Sequence, residues 1–222
     1  LNLKLLGERN FGVSMAVLAI FGIGMLGGTY LLPLYMQKGL GYTAIMAGSV
    51  FLPVGLIQGV LSTCSGFLTR YVKPLFIAVT GILVMTLSFY FASRFTLHTT
   101  HAQIMLVLYL RGFGMGLTFA PLNDFSLMNL SQCDMASAAG ISNSIKQLSG
   151  SVSIALLTVI LTGRTAFHSA QGGLSSAESY VAGISDDFLF VTFVSLASAL
   201  PFLWLLRPRR KAASFKSEGT GT

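Results

Sequence analysis

The sequence predicts an all-α membrane protein: six transmembrane helices forming one bundle, with both termini in the cytoplasm. Three observations carry this. Of 222 residues, 53% are hydrophobic and only 9% are charged, against about 25% charged in a soluble domain, and the mean hydropathy is +0.74. Six stretches each reach the ~20 mostly apolar residues needed to cross ~30 Å of hydrocarbon. The basic residues collect on alternate connections between those stretches.

The spans fall at about 11–36, 44–69, 75–95, 103–124, 138–163 and 187–206. All are expected to be helices, because lipid offers no partner for an open strand edge. Runs of this length are about twice that of a membrane β-strand, which excludes a barrel. Residues 1–10 read as a cytoplasmic lead-in, 11–207 as the bundle, and 208–222 as a basic, disordered cytoplasmic tail. Nine basic residues (Lys4, Arg9, Arg70, Lys73, Arg207, Arg209, Arg210, Lys211, Lys216) fall on one side, and three (Lys38, Arg94, Arg164) on the other. Positive charge marks the cytoplasmic side. The net charge of +7 is therefore a topology signal rather than a nucleic-acid footprint. The tail over 207–211 also suits anionic lipid. The chain begins with Leu1 and shows no secretory signal; the reading expects a piece of a longer protein.

Three outer loops are expected at 37–42, 96–102 and 164–186, the last being the longest and most polar. His98 and His101 have HxxH spacing, but no further ligand is near in sequence, so they read as solvated histidines. Cys64 falls in an apolar run and Cys133 in a polar link, so no disulfide is expected.

Small residues recur at four-residue spacing: Gly24 and Gly28, Gly55 and Gly59, Gly112 and Gly116. Gly55, Gly59, Ser62 and Gly66 share a face of the second span. Such residues let helices approach closely in lipid, either inside one bundle or along a seam between bundles, and spacing does not choose between these. Pro33, Pro53, Pro121 and Pro201 lie in or near spans, where proline kinks a helix.

Two cations lie within spans. Arg111, in "YLRGFGMGLTFAPLNDFSL" (109–127), is eight residues past one end of the fourth span, about 12 Å deep at ~1.5 Å per residue. Lys146 is similarly deep in the fifth span, from the opposite side. A charge at mid-bilayer costs ~2.5–3.5 kcal/mol on insertion scales, and such residues face a bundle interior or a wet cavity. All seven acids (Glu8, Asp124, Asp134, Glu178, Asp186, Asp187, Glu218) read as lying at span ends, loops or tails. The two cations therefore have no acid in reach within their spans. Arg111 either staples carbonyls of neighbouring helices or lines a cavity. Asn143, Lys146, Gln147 and Gly150 recur at three- and four-residue steps and read as a polar stripe along a cavity. Gln58 stands one turn beyond Pro53 and joins Arg111, Asn143, Lys146 and Gln147 as a candidate cavity residue. Asn123 and Asp124, at the cytoplasmic mouth, cap the helix or gate it.

Three stretches then combine: "LLPLYMQKGLGYTAIMAGSVFLPVG" (31–55), "RGFGMGLTFAPLN" (111–123) and "GISNSIKQLSGSVSIALLTVIL" (140–161). They resemble the C-terminal half of major facilitator superfamily transporters, in the fourteen-helix drug/proton antiporter branch of the EmrB/QacA type. "GRTAFHSAQ" (163–171) resembles the Gram-negative exporters of that branch. The resemblance implies two six-helix bundles built from inverted repeats, with this chain as the second. It also implies multi-pass residence in the bacterial cytoplasmic membrane, proton-coupled export of amphiphiles by alternating access, and no cofactor. The implied partners are the missing N-terminal bundle, a small amphiphilic substrate, the lipid bilayer and a periplasmic adaptor protein. The family's basic inner loop corresponds to "GFLTRYVKP" (66–74), which keeps Gly66, Arg70 and Lys73 but lacks the acid. With no mid-membrane acid recognised, no proton carrier is assigned. A same-fold exporter of a physiological metabolite and a non-transporting structural or sensory subunit remain open. A membrane enzyme is disfavoured, because no catalytic acid pair, HExxH or Ser/His/Asp set lies at a shared depth.

Overall fold

The computed structural model describes residues 7, 9–127, 134–170, 173 and 175–201. They form six helices, each long and apolar enough to cross a membrane: α1 (Arg9–Leu34), α2 (Ala44–Leu68), α3 (Pro74–Ala92), α4 (His101–Leu127), α5 (Met135–Ala170) and α6 (Ser176–Ala197). A π-helical turn, Tyr35–Gly39, extends α1, with Leu40 N–H donating to Tyr35 O at 3.2 Å. Successive helices run in opposite directions. One end of the bundle carries Arg70 and Lys73, and the other carries the 93–100 connection. These are called the Arg70 end and the Arg94 end below.

Local signals start the helices. Thr43 Oγ1 accepts from Met46 N–H at the head of α2. Pro74 opens α3 at its first position, where a missing N–H has no cost. Ser175 and Glu178 form a reciprocal capping box on α6, which satisfies two orphan N–H groups.

The helices are held together by close approach and by hydroxyl-to-carbonyl bonds. Lipid gives little hydrophobic drive for helix association, so small residues and polar stitches carry it. Ser88 Oγ donates to Val107 O at 2.7 Å, linking α3 and α4. Ser65 Oγ donates to Gly116 O at 3.1 Å, linking α2 and α4. Ser153 Oγ donates to Ile23 O at 2.7 Å, linking α5 and α1, and Thr86 Oγ1 donates to Ser195 Oγ at 3.0 Å, linking α3 and α6. At the Arg94 end Tyr35 stacks on Phe95 with 4.9 Å between centroids, and Phe95 meets Phe188 edge-on. Tyr35 Oη donates to Thr96 O at 2.7 Å, and Ser185 Oγ to Phe95 O at 2.9 Å. The 93–100 connection is thereby fastened to α1 and α6.

The main departure from the sequence reading lies at α5 and α6. The expected long polar loop over 164–186 is mostly helix: α5 runs on to Ala170 and α6 starts at Ser176, eleven residues before 187. Small and polar residues in isolation carry a loop signal. In three dimensions Val181, Ile184 and Ser179 of this segment are buried, and the Ser175 capping box provides the start. Arg164 and His168, one turn apart on α5, both reach Asp186 of α6, at 3.1 and 2.9 Å, clamping the extended hairpin. The departure also moves an acid. Asp187 is not at the head of a helix but twelve residues into α6, and it is 0% exposed. Cys133, the 208–222 tail and most of the 1–10 lead-in lie outside the described residues.

Candidate functional site

α5 presents two different faces. Ser142, Ser149, Gly150 and Ser153 are buried. Gly150 faces Leu26, a Cβ on Gly22 would lie 3.1 Å from Ser149 Cβ, and Ser142 Oγ donates to Met15 Sδ at 3.4 Å. This face is therefore spent on packing against α1, with Ser142 at its edge, where it also borders the opening between α4 and α5. The other face carries Asn143 and Gln147, both exposed, with Lys146 half-buried between them. Of the expected stripe, Asn143, Lys146 and Gln147 stay on the open side, while Gly150 belongs to the α1 seam.

The open side of α5 and the last turns of α4 enclose an opening of about 630 Å³, lined by Asn123, Ser126, Ser142, Asn143 and Lys146 with small residues between them. Lys146 Nζ sits 4.9 Å from the centre of the Phe119 ring, a cation–π contact from α5 to α4. Asn123 and Asp124 are exposed and lie inside α4, which continues to Leu127, so neither caps the helix end. Gln58 is half-buried on α2, away from this opening.

Arg111 lies elsewhere. It is 3% exposed and about 12 Å along α4 from Phe119 at ~1.5 Å per residue. Its Nη2 donates to Met25 O at 3.1 Å and to Thr29 Oγ1, both on α1. Thr29 is exposed and also donates to Met25 O, at 2.8 Å. The guanidinium is thus one side chain behind the open face. Gly28 makes room for the neighbouring Phe89: a Cβ there would run into that ring, while standing at an ordinary contact distance, 3.5 Å, from Arg111 Nε. Among the described residues no carboxylate pairs with Arg111 or Lys146.

Of the expected 66–74 loop, Gly66, Phe67 and Leu68 belong to the last turn of α2, and Arg70 beyond it is exposed with its guanidinium 5.4 Å from the Phe67 ring centre. Lys73 is exposed just ahead of Pro74, and Gly66 meets nothing within 4 Å.

Sequence reasoning missed the recess at the Arg94 end, about 560 Å³, whose polar lining includes Arg94, His98, His168, Glu178 and Asp186. Its signals were present as an i, i+4 Arg164/His168 pair and a Ser-x-x-Glu capping box. His98 and His101 are exposed; among the described residues no group of three His, Cys, Asp or Glu side chains could hold a metal ion.

Six apolar helices, stitched by small residues and leaving a polar opening between two of them, define a polytopic membrane bundle. This chain belongs to the Major Facilitator Superfamily, whose family model matches residues 2–154. It is 32% identical over 161 residues to the uncharacterized MFS-type transporter YhcA of Bacillus subtilis, covering 72% of this chain and 30% of that protein. It is 30% identical over 171 residues to the multidrug export protein EmrB of Haemophilus influenzae, covering 77% and 34%. It is 24% identical over 242 residues to the fatty acid resistance protein FarB of Neisseria gonorrhoeae, covering 93% and 47%. The chain thus spans less than half the length of each of these relatives.

Proposed function

We propose that this chain is the second six-helix bundle of a proton-coupled exporter of drugs or other amphiphiles, working by alternating access in a bacterial cytoplasmic membrane with its Arg70 end inside. The observation that carries the reading is the opening between α4 and α5, where Asn123, Asn143 and Lys146 meet on an uncovered face. A lysine in a membrane span with no acid beside it belongs next to water or a substrate. The first bundle supplies the opposite wall. Its seat is the open side of α2 and α5: Leu52, Leu56 and Val60 are exposed there, and Gly48, Gly55 and Gly59 have nothing within 4 Å. The relatives' greater length leaves room for that bundle, and a periplasmic adaptor belongs to the same proposal.

Lys146→Ala in the full-length transporter is expected to lower efflux of a fluorescent amphiphile by roughly tenfold, equivalent to ~1.4 kcal/mol, with the same amount of folded protein in the membrane. Unchanged efflux overturns the assignment of the opening. The uncompensated cation at Lys146 further favours neutral or anionic amphiphiles over cationic dyes, in keeping with FarB's name. Lys146→Glu is expected to shift competition in favour of cationic dyes; an unaltered preference removes Lys146 from substrate selection.

Sidedness is tested independently. Single cysteines at Leu97 and Tyr71, in a background with both Cys64 and Cys133 replaced by Ser, should react with an impermeant maleimide from opposite sides, position 97 from outside. Labelling of position 71 from outside reverses the map.

A further inference from the structure

Among the described residues, three buried oxygen-bearing side chains in the Arg94-end half of the α5–α6 seam have no hydrogen-bond partner: Ser179, Thr165 and Asp187, the last with neither carboxylate oxygen bonded. They are not scattered. Ser179, Gly183 and Asp187 are spaced i, i+4, i+8 and so share one face of α6. Thr165 of α5 lies against Gly183, where a Cβ would come 2.6 Å from its Oγ1 and 3.2 Å from its backbone nitrogen. The glycine thus brings the Thr165 hydroxyl against α6 at a level midway between Ser179 and Asp187. Each four-residue step along α6 rises about 6 Å. One water between two oxygens, at ~2.8 Å from each, spans close to that distance. Buried polar groups without protein partners are the usual sites of internal water.

The surroundings leave Asp187 uncompensated. On its own helix its neighbours are Asp186 and Tyr180. Asp186 already takes Arg164 and His168 of α5. Lys38 of the π-helical turn lies 5.7 Å from the ring centre of Tyr180, and Tyr30 of α1 pairs with Thr158 Oγ1. Tyr35 is bonded to Thr96 O. From α3 and the connection after it, Arg94 is bonded to Tyr90, and His98 lines the recess. Arg111 is bonded to α1. Buried charges are either paired or neutralised, and no cation pairs with Asp187.

We propose that Asp187 is a proton-binding site of this bundle, reached from the Arg94 end along Ser179 and Thr165. A proton from water at that end converts the carboxylate to the neutral acid, and its loss restores the charge. The proposal deepens the exporter reading and rests on it for the statement that the proton enters from outside.

The test is infrared difference spectroscopy on the full-length transporter in nanodiscs, comparing acidic with alkaline buffer. The wild type is expected to show the carbonyl stretch of a protonated carboxyl group that disappears in alkali. That band should be lost in Asp187→Asn and kept in Asp186→Asn. A band that persists in Asp187→Asn overturns the assignment. If Asp187→Asn cannot be recovered folded, dicyclohexylcarbodiimide labelling of the wild type decides. Modification mapped to Asp187 that declines as pH rises supports the site, and none at Asp187 in acid overturns it. Thr165→Val should slow the band's response to a pH jump several-fold; an unchanged rate overturns the route. None of these readouts uses transport, so a failed exporter assignment would show separately in the Lys146 variants.

Discussion

Replacing Gly81 by alanine is expected to lower the melting temperature of the purified transporter sharply, and replacing it by leucine to leave no folded protein. At the α3–α4 crossing a Cβ on Gly81 would lie 2.8 Å from Gly114 O and 2.9 Å from Thr118 N, besides running into the Thr118 hydroxyl. From the other side, a Cβ on Gly114 would lie 2.8 Å from both Gly81 O and Met85 N. These obstacles are backbone, which no rotamer change removes, so one methyl group forces the two helices apart. The crossing is also where Thr118 Oγ1 bonds Gly114 O at 2.7 Å, with Ser88 bonding Val107 O two turns away. Overpacking costs ~1–3 kcal/mol, and at ~2–4 °C per kcal/mol for a domain of this size the alanine variant should melt several degrees low. Gly59→Leu is the contrasting case. That position meets nothing within 4 Å in this bundle, so the variant should keep its folded yield while losing export, because it obstructs the seat proposed for the first bundle. Size-exclusion profiles in detergent with a heat challenge separate the outcomes. A Gly81→Ala protein as stable as the wild type would mean that the crossing is looser than described.

The contrast between these glycines marks what the sequence could and could not convey. Helix existence follows from ~20-residue apolar runs, a signal carried by each segment alone, so all six helices were legible. Glycine spacing is the same whether the facing helix is present or not. Gly24 and Gly28 pack inside the bundle against Phe89, and Gly112 and Gly116 pack against α2, while Gly55 and Gly59 are open. Only the neighbours distinguish them. The start of α6 was missed because Ser, Gly and Ala read as loop in isolation, although here they fit a helix seam and Ser175 caps it. Missing that start concealed the burial of Asp187. At the candidate site, the polar side of α5 was legible as a helical stripe. Which side of α5 Gly150 faces was not, because a three- or four-residue step leaves about a quarter-turn of latitude at the edge of a stripe.

Arg111→Met is expected to leave the folded protein close to wild-type stability and to abolish most of its transport. The stability side follows from opposing effects. The guanidinium is 3% exposed, and its Nε has no partner, so the protein bears the cost of burying a charge. Against this stand the bonds of Nη2 to Met25 O and Thr29 Oγ1. Hydrogen bonds to charged groups contribute ~1.5–3 kcal/mol each, so ~3–6 kcal/mol for the two, of which the ~2.5–3.5 kcal/mol cost of a charge in a membrane helix offsets more than half, and apolar packing of the replacement offsets the rest. Apolar replacements of buried ionic groups are often neutral or stabilising when the volume is kept, and methionine is a long, unbranched and adaptable apolar substitute for the arginine stem. The melting temperature should therefore move by no more than about 4 °C, the equivalent of ~1 kcal/mol. The transport side follows from position. Thr29 is exposed on the open face, and Arg111 holds its oxygen, so removing the guanidinium frees Thr29 on the wall proposed to face substrate and removes positive charge one layer behind it. A second variant, Arg111→Lys, retains the charge but not the reach of two donors along one plane and should recover only part of the export. If Arg111→Met instead melted ten degrees low with normal export in the molecules that fold, the arginine would be a staple between α4 and α1, and its charge would serve packing alone.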